Sequence, residues 1–445
     1  MPRFRSNRSV ALPLALAVPL AFAASTAVHA QTAPSPTATI TVGNCNDSGP
    51  GSLRAAVASA ANGDTIDLRS LECRRLALTS GQIKIWQDDL TLLGPTRAFL
   101  IDGDDASRVL RHFGTGTLRL RAMSIANGYS VGREPSGGCI RSDGDLQLEY
   151  VRVHDCFAML NIGWSPNGGG GIVGNDIALY DSDIFGNTIN DDGEDDEYPF
   201  GGGIWAHGHL ALVRSSVSDN TARGGTGGGF VAEAGLDALY SEISGNFAYR
   251  VGAINATGGD VTITSSLIAD NEAWAYDMTG LSGPSVLVVN TTVSGNLAYQ
   301  RSGLTLGGSE KSLINSTIVD NDVRGADVAF CGGAVVSAGL LHVESTIIAK
   351  NPCGGVQDYG SPLEVIGSDN LITESSVPLP PDTISANPRF SPLADNGGRT
   401  RTHALWAGSP AVDMGNNNAG LEFDQRGPGF DRVNGARADI GAYER

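Results

Sequence analysis

Asparagine recurs through the middle of the chain at the end of a repeated hydrophobic pattern. Counting back from each Asn, there are two residues, an aliphatic residue, one residue of any kind, and a Ser, Thr or similar residue. Successive gaps between the Asn residues are 33, 26, 25, 25, 25 and 30 residues. A period of this size predicts repeats that stack, because one such unit cannot bury its apolar face alone. The repeated positions are Asn187, Asn220, Asn246, Asn271, Asn296, Asn321 and Asn351.

The apolar runs within these repeats are short and β-branched, as in Ile318-Val319, and glycine clusters separate them. This composition favours strands and turns, whereas leucine-rich repeats of similar period need several leucines per unit. A coil of about 25 residues with three short strands, stacked at roughly 4.8 Å per coil, is a right-handed parallel β-helix. We therefore predict an all-β fold, a right-handed parallel β-helix of about 10 coils.

Asparagine suits one fixed turn of such a coil for two reasons. It tolerates a left-handed backbone, and its side-chain amide can hydrogen-bond to the amides one coil above and below. A buried amide without those bonds would cost on the order of 1–3 kcal/mol. The Asn column is therefore predicted to form a ladder that fixes the register, with Cys156 and Gly128 at the same position in the two preceding coils.

The two ends of the chain differ from the repeats. Ser52 is placed to cap a short helix over residues 53–61, which would cover the open end of the β-helix and its unpaired strand edges. Past Asn370 the period fails, and a proline-rich connector over 376–381 leads into an irregular C-terminal capping module. The predicted division is an N-terminal cap at 31–75, the β-helix at 76–370 and the C-terminal module at 371–445.

Both ends resemble known families of bacterial exported proteins. Residues 51–56 and 63–66 resemble the N-terminal motif of β-helix proteins of the CSLREA type, although Ala55 stands where that family usually has an acid. Four blocks in order, at 393–400, 408–415, 423–427 and 439–444, are similar to the choice-of-anchor Q domain of many surface β-helix proteins. The resemblance implies a pectin-lyase-like superfold and a place at the cell surface. Asp424, Arg426, Asp439 and Glu444 are expected to form ion pairs that close the end of the stack.

Residues 1–30 have the features of a signal peptide. Three arginines, Arg3, Arg5 and Arg8, precede an apolar stretch over 10–24 and a small-residue cleavage site at 28–30. Removing this segment changes the formal charge from −18 to −21, since it takes three arginines and no acids. We predict a secreted or cell-surface protein with no transmembrane span in the mature chain. So acidic a chain would repel nucleic acid and anionic lipid at long range.

Six cysteines in an exported chain predict disulfides. Sequence distance maps onto axial distance in a β-helix, so near neighbours should pair. The predicted pairs are Cys45–Cys73, Cys139–Cys156 and Cys331–Cys353, and the alternative is buried free thiols.

A row of aromatic residues follows the Asn column at a constant count. The third position after the ladder Asn is aromatic in three adjacent coils, so these rings should stack one rise apart. An aromatic row flanked by arginine and carboxylate suits an extended glycan; the alternative is that the rings only pack on one another, with arginines laid over both ends by cation–π contacts. The glycan-binding candidates are Arg223, Tyr249, Arg250, Trp274, Tyr276, Asp277, Tyr299, Arg301 and Arg324.

An enzyme is the second hypothesis. Pectate-lyase-like enzymes, which the resemblance brings in, use clustered carboxylates for calcium and an arginine or lysine as base. A run of acids in the longest gap between ladder positions is a candidate calcium site, with a simply solvated loop as the alternative. The acids are Asp191, Asp192, Glu194, Asp195, Asp196 and Glu197.

Two weaker motifs complete the candidate chemistry. His207 and His209 alternate on one strand, as two metal ligands would, but a third ligand is not apparent. His403, Asp413 and Ser409 have the residue types of a catalytic triad without its spacing. The sequence thus predicts a monomeric, adhesin-like protein that binds extracellular or cell-surface glycan, with a calcium-assisted polysaccharide lyase or a hydrolase as the alternative.

Overall fold

The computed structural model describes residues 37–132, 136–160, 168–190, 199–275, 277–324, 332–352 and 354–445. Over these residues the chain winds into the predicted parallel β-helix, with every named strand pair in parallel register. The stack has about 12 turns, so the prediction of about 10 coils was too low. The reason is that residues before 76 already contribute stacked strands: Thr39–Thr41 pairs with Thr65–Asp67, which pairs with the strand at Leu90–Leu93.

Each full coil passes through a first, a second and a third column of strands and then a short strand in a separate side sheet. The first column contains β4 (Ile83–Ile85), β7 (Leu110–His112), β10 (Ile140–Ser142), β13 (Ile172–Gly174), β17 (Ile204–Ala206), β21 (Phe230–Ala232), β25 (Val251–Ala256), β29 (Asp277–Ser282), β33 (Leu304–Gly307) and the first halves of β37 (Val335–Glu344) and β39 (Val356–Ile366).

The second column contains β1 (Thr39–Thr41), β2 (Thr65–Asp67), β5 (Leu90–Leu93), the first halves of β8 (Thr117–Ala126) and β11 (Asp145–His154), β14 (Ile177–Tyr180), β18 (Leu210–Val213), β22 (Leu236–Leu239), β26 (Val261–Thr264), β30 (Ser285–Val289), β34 (Glu310–Ile314) and the second halves of β37 and β39.

The third column contains β3 (Arg75–Ala77), β6 (Leu100–Asp102), the second halves of β8 and β11, β15 (Asp183–Phe185), β19 (Ser216–Ser218), β23 (Glu242–Ser244), β27 (Leu267–Ala269), β31 (Thr292–Ser294), β35 (Thr317–Val319), β38 (Ile347–Ala349) and β40 (Leu371–Ile372).

The side sheet contains β9 (Tyr129–Gly132), β12 (Phe157–Leu160), β16 (Thr188–Asn190), β20 (Thr221–Arg223), β24 (Phe247–Ala248), β28 (Glu272–Ala273), β32 (Leu297–Ala298) and β36 (Asp322–Val323). Aliphatic side chains alternate along the strands, so one set from every coil fills a continuous interior.

The Asn ladder lies at the corner between the third column and the side sheet. In each step the side-chain carbonyl of one Asn accepts two hydrogen bonds from the Asn one coil earlier, from its backbone N–H and its side-chain amide. These bonds measure 2.8–3.3 Å from Asn187 through Asn351, and the column is buried. The remaining amide hydrogen reaches a carbonyl in the neighbouring third-column strand, as from Asn246 to Val217. The ladder therefore satisfies buried polar groups while holding adjacent coils in register.

The prediction that the ladder Asn itself adopts the left-handed backbone was wrong. The positive φ belongs to the preceding residue: Asp219 (54°), Gly245 (65°), Asp270 (56°), Gly295 (68°) and Asp320 (55°). Asp and Gly both tolerate this conformation, Asp through local hydrogen bonding and Gly through its missing Cβ. The ladder Asn needs its side chain directed into the stack. The left-handed backbone and the inward amide are therefore provided by two neighbouring residues.

A second ladder, of hydroxyl groups, lies five residues before the first, at the corner between the second and third columns. Each Ser or Thr hydroxyl oxygen accepts from the backbone N–H of the equivalent residue one coil earlier, as Ser241 accepts from Ser215 at 3.1 Å. Each hydroxyl donates to the carbonyl two residues before it, as from Ser241 to Leu239 at 3.0 Å. The column comprises Ser182, Ser215, Ser241, Ser266, Thr291, Ser316 and Thr346. The Ser or Thr of the sequence pattern thus has a structural role.

Two of the predicted disulfides are formed, Cys45–Cys73 and Cys139–Cys156. Cys331 and Cys353 lie outside the described residues. Cys156 occupies the predicted ladder position, since its backbone N–H donates to the side chain of Asn187 at 3.1 Å. In the coil before, Gly128 leaves room for the bridge, because a Cβ there would lie 2.7 Å from the Cys139 sulfur. In the coil before Asn187 the ladder position is therefore held by a disulfide-bonded cysteine in place of an Asn.

The N-terminal helix α1 spans Leu53–Ser59 and packs on the core through Leu53, Ala56 and Val57. Ser52 caps it as predicted, with its hydroxyl oxygen accepting from the N–H of Ala55 at 3.2 Å. Arg54 connects the helix to the segment between β3 and β4, because its guanidinium donates to the carbonyls of Gly81 and Gln82. It also forms an ion pair with Asp47.

The part of the C-terminal module that follows the connector, residues 386–445, lies along the side of the β-helix. Thr292 donates to Gln425 at 2.6 Å, Asn290 donates to the Phe423 carbonyl at 2.9 Å, and the Ala442 N–H donates to Thr317 at 2.9 Å. These partners are third-column residues or the corner residue beside that column. The module therefore shields the outward face of the third column.

The predicted ion pairs of this module exist, but they do not close the stack. Arg426 pairs with Asp424 at 2.6 Å, and the Glu444 N–H donates to Asp424 at 2.8 Å, so these groups join segments inside the module. The end of the stack is instead packed by Val377 and Leu379 of the proline-rich connector. Apolar side chains suit that position because the last coil exposes an apolar cross-section.

Candidate functional site

The aromatic row lies on the outward face of the side sheet. Each strand there begins one residue after the ladder corner, and its second residue points inward: Ala222, Ala248, Ala273 and Ala298 are all fully buried. The first and third positions consequently point outward. The third positions form one column across the coils, in which Asn190 pairs in register with Arg223.

Tyr249, Trp274 and Tyr299, which we call the aromatic stripe, follow Arg223 in this column on three successive coils. Their exposed fractions are 39%, 57% and 45%. The rings of Tyr249 and Trp274 lie 6.4 Å apart at an interplanar angle of 51°, a tilted contact that leaves ring surface open. Large aromatic side chains exposed side by side are typical of a binding surface.

The arginines at the two ends of the stripe differ in environment. Arg223 is exposed, whereas Arg324 is half-buried and pairs with Glu272, a first-position residue two coils earlier. Arg250 is also half-buried, and its backbone N–H donates to Gly225. Tyr276 lies outside the described residues. The stripe thus has a cation near each end, one of them tied to a carboxylate.

Asp277 and Arg301 form a separate ion pair where the chain enters the first column. One Arg301 nitrogen contacts both Asp277 oxygens, at 2.6 and 2.7 Å, and the Thr305 hydroxyl donates to Asp277 at 3.3 Å. The Arg301 guanidinium also lies 4.4 Å from the ring centre of Tyr359. Burial raises the pKa of Asp277, and the neighbouring guanidinium opposes that effect. The arrangement is a half-buried ion pair that contains a single carboxylate.

The described residues contain no group of three or more His, Cys, Asp and Glu side chains that could hold a metal ion. The predicted calcium candidates, from Asp191 to Glu197, lie outside these residues. Within the described part, His207 is near Glu233 at 3.3 Å and His209 is near Asp237 at 3.4 Å, so the two histidines have different partners.

The three triad candidates are not brought together. The Ser409 hydroxyl donates to the Pro388 carbonyl, and Asp413 accepts from the N–H of Ala436 at 2.8 Å. His403 is buried between the module and the third column, where its Nε2 lies 2.9 Å from the Ser294 hydroxyl and its Nδ1 lies 2.8 Å from the Ser391 carbonyl. His403 therefore helps to dock the module.

Acid should weaken this docking. Burial lowers the pKa of His403 below its ordinary value of 6.5, so the unfolded chain takes up a proton more readily than the folded one. Stability from this group is complete above pH 6.5 and is lost as pH falls below that value. We expect the unfolding midpoint of the wild type to fall between about pH 7 and 5 more than that of His403→Gln. Equal pH dependence of the two proteins would contradict this assignment.

The earlier part of the same surface was not predicted from the sequence. Tyr129 and Phe157 are first-position residues of β9 and β12, and their rings stack at 5.4 Å and 11°. Val131, a third-position residue, is 37% exposed. Counting one and three positions forward from Gly128 and Cys156 would have found them, because those two residues hold the ladder position in these coils. The outward face of the side sheet therefore carries apolar or aromatic side chains on its first two strands as well, and polar Asn190 and Arg223 lie between them and the aromatic stripe.

The structure contains, within the ranges described, no helix with the length and hydropathy of a membrane span. No protein-family model matches the chain. No curated protein matches it. Among solved structures, the chain is similar to the crystal structure of pectate lyase Pel9A, with a TM-score of 0.39 and 13% sequence identity, covering 92% of this chain and 97% of that one.

Proposed function

We propose that the protein binds an extended glycan along the outward face of the side sheet, with the aromatic stripe as the main contact. The observation that carries this proposal is the exposure of Tyr249, Trp274 and Tyr299 in a single column, between 39% and 57%. Rings that served only to cover a turn would bury one another. A glycan has apolar ring faces and repeats at a length comparable to the coil rise, so successive sugars can meet successive rungs.

The backbone beneath the aromatic stripe and the cation beside it support the binding proposal. The backbone of adjacent rungs is hydrogen-bonded together, from the Trp274 N–H to the Ala248 carbonyl at 3.1 Å and from the Ala275 N–H to the Tyr249 carbonyl at 2.7 Å. A fixed platform lowers the ordering cost of association. Exposed Arg223 provides a hydrogen-bond donor for hydroxyl or carboxylate groups at one end of the stripe.

We also propose that this binding occurs outside the cell, with the protein acting as a secreted or surface-attached adhesin. The support is the signal-peptide pattern of residues 1–30 together with two disulfides in the described chain. The resemblance of the C-terminal blocks to choice-of-anchor Q domains supports surface attachment.

The proposal is tested by binding to an array of neutral and acidic polysaccharides, with Trp274→Ala as the variant. We expect affinity for the best ligand to fall at least about tenfold, because an aromatic side chain contributes roughly 1.5–3 kcal/mol when it is buried. Trp406→Ala is the matched control, since Trp406 is 56% exposed but stands on the C-terminal module. Binding that is unchanged in Trp274→Ala would remove the stripe from the proposal.

A lyase remains the second hypothesis, and the same proteins can test it. Arg301 would be its base, although it is held by Asp277 in the structure. The purified protein would be incubated with a panel of polyuronates, with and without calcium, while the absorbance of unsaturated products is followed. Product formation that Arg301→Ala abolishes would establish a lyase in place of a binding protein.

A further inference from the structure

A second aromatic surface lies far from the side sheet, on the first coils. Trp86 directly follows β4, at the corner between the first and second columns, and its side chain is 66% exposed. One face of its indole stacks on Phe113 of the next coil, with ring centres 4.2 Å apart and planes within 10°. The indole is therefore held flat while most of its surface stays in solvent.

The support beneath Trp86 is rigid. The Arg111 guanidinium lies 4.1 Å from the ring centre of Phe113, and one of its nitrogens donates to both oxygens of Asp143 at 2.7 and 2.8 Å. Buried His112 lies 2.8 Å from the carbonyl of Gln87, the residue after Trp86. Little ordering is thus required of this surface when a ligand binds.

A cation stands beside the platform. Lys84 is exposed and lies two residues before Trp86 on an extended segment, so both side chains project from the same side, roughly 6–7 Å apart along the strand. Lys84 pairs in register with Arg111, whose charge is neutralised by Asp143, and it forms no ion pair with any residue in the described ranges. In a chain with a formal charge of −18, an unpaired cation next to an open indole is a local feature that favours an anion.

We propose that Trp86 and Lys84 form a second glycan site, which takes a uronate residue of an acidic polysaccharide. The sugar ring stacks on the open face of Trp86, and its carboxylate accepts a charge-assisted hydrogen bond from the Lys84 ammonium. A neutral sugar would contact only the indole. The Lys84 ammonium therefore makes the site prefer a uronate over a neutral sugar. This site shares no residue with the aromatic stripe, so each of the two proposals can be tested without the other.

The test is calorimetric titration of the full chain with a tetramer of galacturonate and with a neutral cello-oligosaccharide of equal length. Trp274→Ala serves as the background, because it removes the main contact of the stripe. On this background we expect Trp86→Ala to lower affinity for the galacturonate tetramer at least about tenfold and Lys84→Gln to lower it about threefold or more. Lys84→Gln should also flatten the salt dependence of binding, since the lost contact is electrostatic.

Three results would overturn this site: no binding of the tetramer on the Trp274→Ala background, affinity unchanged by Trp86→Ala, or equal affinity for the neutral oligosaccharide. Trp406→Ala, which alters another exposed indole, should bind the tetramer like its parent. Thermal unfolding of each variant verifies the fold, and little change is expected because both substituted side chains are exposed.

Discussion

Replacing Asn271 by Ala should destabilise the β-helix by about 3–5 kcal/mol, because several buried groups lose their partners at once. The backbone N–H and side-chain amide of Asn246 both donate to Asn271 at 2.9 Å, and Asn271 donates to the Ile243 carbonyl at 3.0 Å. No water can replace these bonds without entering the core. Chemical denaturation, read as the free energy of unfolding, measures the loss.

Asn255→Ala is the matched control for this change. Asn255 belongs to β25 at an outward, half-buried position, and the described structure gives its side chain no hydrogen bond. The same chemical change there should alter the free energy of unfolding by less than about 0.5 kcal/mol. Comparable losses in the two variants would mean that the amide ladder contributes nothing particular to stability.

Replacing Arg432 by Ala should release the C-terminal module from the side of the stack. Arg432 is fully buried, donates to the Asp439 carbonyl, and lies 3.8 Å from Glu444. Burial lowers the pKa of Arg432 and raises those of Asp439 and Glu444, so the three groups depend on one another's charge. Truncating the cation leaves buried carboxylates uncompensated, at a cost of about 3–5 kcal/mol.

Hydrogen exchange of residues 386–445 is the measurement for this variant, and faster exchange confined to the module is the expected result. Arg437→Ala is the control, because Arg437 pairs with Asp369 at the surface with 46% of its side chain exposed. That change should cost no more than about 1 kcal/mol. Exchange that stays slow in Arg432→Ala would show that the module is held by its other contacts.

The features that sequence reasoning predicted are those in which every coil needs the same residue type. A buried amide is satisfied by an identical amide in the next coil, so Asn246, Asn271 and Asn296 repeat visibly. The aromatic stripe was found because it keeps a constant count from that column. Cys156 could be placed because a disulfide with Cys139 can replace an amide at the end of the column.

Other features left no periodic signal. The left-handed position before the ladder Asn residues is filled by Asp or Gly in most coils and by Lys350 before Asn351, so no single residue type marks it in the sequence. The docking of the module depends on contacts between residues far apart in sequence, such as Thr292 and Gln425. Trp86 and Phe113 meet in coils that lack a ladder Asn, so no alignment on Asn could bring them together.

The most direct test of the central claim, that the aromatic stripe is a binding surface for an extended glycan, is affinity as a function of ligand length. Oligogalacturonides and cello-oligosaccharides of one to six residues would be titrated into the wild type and into Trp274→Ala. Three aromatic rungs at roughly 4.8 Å each predict that affinity for the bound class rises through about three sugars in the wild type and then levels off. In Trp274→Ala that rise should be lost. Affinity independent of length, or a rise that is identical in the two proteins, would contradict the account.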